Sequence, residues 1–158
     1  MTLLVLFSLA VFATYLIIMA KNYGIQPSIS DNYYVSKQPW VFTLVFWLVA
    51  VTMAPAMIDA APVEWQFTGF FAGTGIAFVG AAAAYRQSMT NTVHIAGAIT
   101  SALFAIVWAY TICPPIPTIA ILTAAYILLA VRVHKVYWAE VTAFTMTYLT
   151  FFVSLLIN

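Results

Sequence analysis

Charge is what this chain has least of. It carries five Lys or Arg and four Asp or Glu in 158 residues, 6% in all, against 65% hydrophobic residues. A soluble domain has about a quarter of its residues charged. So few charges cannot coat a 17.4 kDa globule in water, and a mean hydropathy of +1.04 says that the outward surface meets hydrocarbon. The net charge of +1 provides no basic stripe against phosphates, which argues against nucleic acid as a partner. Cysteine is almost absent too: Cys113 alone can form no internal disulfide and offers no CxxC metal spacing. No Lys or Arg precedes Lys21, so the first apolar stretch lacks the basic start of a signal peptide and reads as a retained helix.

What the chain has is apolar length. A helix crosses a hydrocarbon core of about 30 Å with about 20 mostly apolar residues. Stretches near that length run over 2–20, 41–61, 67–85, 93–112, 116–131 and 137–157. The fold expected is an all-α integral membrane protein, one domain over 1–158, built as a bundle of six transmembrane helices with short loops. Charge placement separates six spans from five. With six, the loops at 21–40, 86–92 and 132–136 share one side and hold Lys21, Lys37, Arg86, Arg132 and Lys135, every basic residue of the chain. The opposite side holds both termini, Glu64 and the turn at Pro114. Short cytoplasmic loops are rich in Lys and Arg, so the basic side is assigned to the cytoplasm of an inner membrane and both termini to the outside. Tyr23, Trp40, Trp65, Tyr85, Tyr137 and Trp138 fall at span ends, where an interfacial aromatic belt is expected.

Small residues give the packing faces. Gly69 and Gly73 form a GxxxG motif continued at i+4 by Ala77 and Ala81, and Gly97 and Ser101 lie on the same face of the next span as His94. These two helices are expected to form the tight centre of the bundle; the same motif also serves homo-oligomers. In the first loop, 27–34 reads as a turn followed by a short interfacial helix, with Ser28 and Asp31 at capping-box-like spacing.

Ionisable residues inside a membrane are costly and mark candidate sites. Asp59 lies within a turn or so of the outer interface and can reach water. Glu140 shares a polar or small stripe with Ala143, Thr147, Thr150 and Ser154, so it should point inward, with Arg86 or His94 as partner. The alternatives left open are a purely structural pair and a cytoplasmic polar pocket built from Asp31, Tyr33, Tyr34, Arg86, His94 and Glu140 that binds a small ligand, lipid head group or protein. His94 has no second His or Cys four residues away, and His134 sits in a basic loop where solvation is expected, so neither metal nor cofactor is assigned. Ser28, Ser30 and Ser101 lack a GxSxG elbow, and no catalytic residue is assigned.

Residues 27–34, Phe78-Val79-Gly80-Ala81, Val93-His94 and Tyr137-Trp138-Ala139-Glu140, in that order, resemble a group of small six-span membrane proteins of Bacteroidetes genomes and their phages. The resemblance implies an inner-membrane location and no particular activity. A second comparison, with seven-span ceramidase-like hydrolases, meets only two histidines and no HxxxH. The function expected is therefore non-enzymatic ligand or partner binding, with a transporter or oligomeric channel, or a membrane-embedded hydrolase using His94, Asp31 and a serine, as alternatives.

Overall fold

A computed structural model describes residues 1–84, 86 and 88–157, and among them there is helix but no strand. The elements are α1 (Thr2–Tyr23), α2 (Asn32–Val35), α3 (Trp40–Ala60), α4 (Gln66–Ala81), α5 (Ser88–Ile112), α6 (Pro115–Ala130) and α7 (Lys135–Ile157), with a 3-10 turn at Val63–Trp65 before α4. Four helices are long and apolar enough to cross a membrane: α1, α3, the Thr90–Ile112 part of α5, and α7. The helices α4 and α6 have 16 residues each, about 24 Å at 1.5 Å per residue, and fall short of the full hydrocarbon thickness. Where six spans are expected, the described residues build seven helices, four of them of full spanning length. The helix α4 ends at Ala81, four residues before the expected bound at 85, α6 ends within one residue of its expected bound, and α2 is the short loop helix expected near 27–34.

Helix ends follow local chemistry. Gly24 takes φ 75°, a left-handed turn that costs glycine nothing, and leads the chain out of α1 while its N–H caps the Ala20 carbonyl. Pro114 and Pro115 separate α5 from α6, where a missing amide is harmless at a helix start. His134, at φ 54°, is the non-glycine residue that turns α6 into α7.

In the bundle α1 packs on α3, α3 on α4 and α4 on α5 as a tight row; α6 and α7 form a hairpin that joins this row less closely, both helices against α5, and α7 also against α3. Contacts between loops place residues 26–34, Ala82, Arg86 and His134 at one end. At the other end Met1, Asp59–Pro62, Thr111 and Ile157 border one crevice. The loops that carry the five basic residues therefore gather at one end and the termini at the other.

Without a hydrophobic drive between helices in lipid, backbone proximity supplies the packing. A Cβ added at Gly73 would lie 2.3 Å from the Ala54 Cβ of α3, and one at Gly69 2.8 Å from the Ile58 nitrogen. The GxxxG face thus serves α3, not α5 as expected from the sequence. The α4–α5 contact is made by Gly75 instead: its added Cβ would meet the Gly97 carbonyl and the Ser101 nitrogen at 2.5 Å. Ala77 stays on the α3 side, where its carbonyl accepts from the Trp47 indole at 3.2 Å, but Ala81 is exposed and ends the stripe. Trp40, Trp65 and Trp138 are exposed at helix ends, as a belt requires; Tyr23 is half-buried, Tyr85 lies outside the described residues, and Tyr137 is buried. Tyr137 departs from the belt because its face of α7 meets the first loop.

Gly75→Ala must push α4 and α5 apart and is expected to cost about 1–3 kcal/mol, whereas Ala81→Leu on the exposed helix end should leave stability unchanged. Thermal unfolding in detergent, read by loss of helical signal, checks both. Equal melting temperatures for the two variants would contradict the close α4–α5 approach.

Candidate functional site

Residues 26–34 cross the loop end of the bundle as a strap. Gln26 begins it by donating its side-chain amide to the Tyr23 carbonyl at 2.8 Å, closing α1. Next, Ser28 Oγ accepts the Asp31 N–H at 3.2 Å and donates to Asp31 Oδ2 at 2.9 Å, so the capping-box-like spacing forms a real turn with an aspartate in place of the usual Glu. The turn points Ile29 and Ser30 inward, where both are buried.

Each segment of the strap is tied to a different element. His134 Nδ1 donates to the Gln26 carbonyl at 3.0 Å, and the Tyr137 amide donates to the Pro27 carbonyl at 3.0 Å. The Ile29 amide donates to Glu140 Oε2 at 2.6 Å. Ser30 Oγ lies 3.0 Å from His94 Nε2, while His94 Nδ1 is 3.2 Å from the Ala82 carbonyl. A carbonyl only accepts, so Nδ1 carries the proton and, in the neutral ring, Nε2 accepts from the Ser30 hydroxyl. Asp31 Oδ1 accepts from the Arg86 guanidinium at 2.8 Å; that guanidinium lies 4.2 Å from the centre of the Tyr34 ring, and the Arg86 amide donates to the Tyr34 hydroxyl at 2.6 Å. Tyr33 makes edge contacts with Tyr34 and Phe42.

The six residues singled out in the sequence therefore do gather at one end, but not as expected. Glu140 pairs with neither Arg86 nor His94 in any hydrogen bond among the described residues; its partner is a backbone amide 111 positions away. Arg86 is taken by Asp31, and His94 is reached through Ser30, a serine that no motif or spacing singles out. Asp59 and Glu64 are exposed at the far end, as a water-facing role requires. His134 is half-buried and docked rather than solvated, held by the same left-handed turn that ends α6. Ser8 and Tyr148 also escaped the sequence reading: their hydroxyls meet at 2.9 Å in the buried contact of α1 with α7. Among the described residues no three His, Cys, Asp or Glu groups are placed to hold a metal ion.

Beneath the strap lies a cavity of about 110 Å³ between α3, α4, α5 and α7. Its lid is Ile29 and Ser30, its polar end is Glu140, and its walls are apolar, with Met53 and Met57 from α3 and Ala102 and Ala105 from α5. That volume is several times what one water needs, and the walls offer water few partners. Ala98 and Ala102 line the cavity and are exposed, so the cavity reaches the surface of the bundle beside α5. No protein-family model, curated protein or solved structure matches the chain.

The ties differ in strength. The Asp31–Arg86 pair leaves the Arg86 side chain 62% exposed and is worth at most about 1 kcal/mol. Removing Glu140 strands a buried amide, which costs about 1–3 kcal/mol. In a Cys113→Ser background, Ile29→Cys should react with a water-soluble maleimide at least tenfold more slowly than Lys37→Cys. Adding Glu140→Ala should raise the rate at position 29 about tenfold, and Asp31→Asn by less than about fivefold. Equal effects of the two substitutions would contradict this ranking.

Proposed function

We propose that the chain is a polytopic membrane protein whose internal cavity, roofed by the 26–34 strap, binds a small apolar or amphipathic molecule drawn from the membrane. The cavity carries the reading: it is largely apolar, holds one carboxylate, and reaches the surface beside α5 at Ala98 and Ala102, which are exposed. In this reading α4 and α6 also pass through the bilayer, with local thinning or interfacial residues making up their length. The basic end faces the cytoplasm of a bacterial inner membrane and both termini face out, in keeping with the resemblance to small Bacteroidetes and phage membrane proteins. The polar residues of the loop end hold the roof in place, so the ligand site moves from the cytoplasmic surface to the space beneath it. A transport path is less well supported, because acids stand near the two ends and none between them.

One contact favours a second reading, membrane-embedded hydrolysis. Ser30 Oγ and His94 Nε2 are at hydrogen-bonding distance and the Ala82 carbonyl orients the imidazole, which is the arrangement of a nucleophile with its general base. Here Asp31 plays no part in orienting His94 in the contacts described, and it faces Ser28 and Arg86. A fluorophosphonate probe that labels the protein, with labelling lost in Ser30→Ala, would favour hydrolysis; no labelling favours binding alone.

The binding reading is checked by photolabelling the full chain in nanodiscs with a head-free alkyl diazirine. Adducts are expected on the cavity faces of α5 and α7, and Ala102→Leu, which fills the cavity, should lower their yield at least fivefold. Adducts confined to lipid-facing side chains, unchanged by Ala102→Leu, would contradict it. For orientation, Lys37→Cys and Lys135→Cys should be labelled only from the cytoplasmic side of intact cells.

A further inference from the structure

From the cavity's shape and its one carboxylate we infer that the ligand is a single-chain amphiphile with a hydrogen-bond-donating head, a hydroxyl or an ammonium, which enters beside α5 and sets its head on Glu140. The inference rests on the cavity being a ligand site, and adds which chemistry it selects.

Three observations carry it. The first is the state of Glu140. One carboxylate oxygen accepts the Ile29 amide, and among the described residues no group donates to the other, although Glu140 lines the cavity. The second carboxylate oxygen is therefore an acceptor site at the polar end of the cavity, and a head group that donates a hydrogen bond completes it. The neighbouring Asp31 does not compete for that donor, because its oxygens are already engaged by Ser28 and Arg86.

The second is shape. Along α7 the lining runs from Glu140 to Tyr148, about 12 Å at 1.5 Å per residue, and a small, largely apolar space of that length between four helices suits one extended chain with its head at Glu140. The far walls are Met53 and Met57, and unbranched thioether side chains adapt to a flexible chain. The third is access. The strap blocks the aqueous end with Ile29, which is 1% exposed, while the exposed Ala98 and Ala102 bring the cavity to the surface of the bundle beside α5. An amphiphile already in the bilayer reaches the cavity there without crossing water.

The test uses the full chain in nanodiscs and diazirine-bearing n-octyl probes that differ only in the head: alcohol, amine, methyl ether, carboxylate, and a bare alkyl chain. Adducts on the cavity faces of α5 and α7 are mapped by mass spectrometry at increasing probe concentration. The alcohol, the amine or both should reach half-maximal labelling at concentrations about tenfold below the ether, the carboxylate and the bare chain, the ratio expected of a hydrogen bond to a charged group. Which of the two donors leads identifies the head as neutral or cationic. Glu140→Gln should abolish any advantage of the amine over the alcohol while cavity labelling by the bare chain persists, which also shows that the variant is folded. Equal labelling by all five probes, or preference for the ether or carboxylate, overturns the donor-head inference and leaves the cavity as a site for apolar chains. No cavity adducts with any probe overturns both.

Discussion

The Ile29 amide belongs to a residue that is 1% exposed, and Glu140 is a carboxylate on an apolar helix; each is costly to bury alone and each satisfies the other at 2.6 Å. That bond holds the first loop against the last helix. Around it, the carbonyls of Gln26 and Pro27 take donors from His134 and Tyr137, so a stretch of four residues has its polar backbone matched to the start of α7. Remove the match and a loop with buried amides would face hydrocarbon, which a membrane protein does not tolerate. The loop end is closed because its backbone has nowhere else to be satisfied.

Two kinds of packing result. The α3, α4 and α5 part of the row is held by close backbone approach at Gly69, Gly73 and Gly75, where any side chain would collide. The α6–α7 hairpin is held to that row by fewer side chains, with the strap and the Ser8–Tyr148 contact as its polar ties. A cavity along the looser seam follows from this division: tight glycine contacts leave no space, and alanines on α5 facing α7 leave room. The binding site proposed lies at the boundary between the two modes of packing.

Much of this is legible in the sequence, and the limits have physical causes. Apolar length and the grouping of basic residues give the helical membrane class and the loops that share one end. Length alone overestimates α4, because the run of apolar residues continues past the point where Ala82 leaves helical geometry, whereas α6 keeps the 16 residues expected of the shortest span. The GxxxG stripe announces a close contact but not its partner, since both faces of α4 carry glycine and only the fold decides that Gly75 meets α5. Glu140 is legible as inward-facing from its stripe, yet the search for a partner among charged side chains misses a backbone amide. Ser30 is missed for a similar reason: its importance comes from a turn set by Ser28 and Asp31, and no spacing along the chain links it to His94. Tyr137 looks like a belt residue until the strap covers it.

Amide hydrogen exchange of the full chain in nanodiscs, resolved to single residues by NMR, tests the strap most directly. The Ile29 and Tyr137 amides are expected to exchange as slowly as those in the middle of α3, and Ile29 alone should become fast in Glu140→Ala while Tyr137 keeps part of its protection. Exchange at Ile29 as fast as at exposed Lys37 in the unsubstituted protein would contradict it.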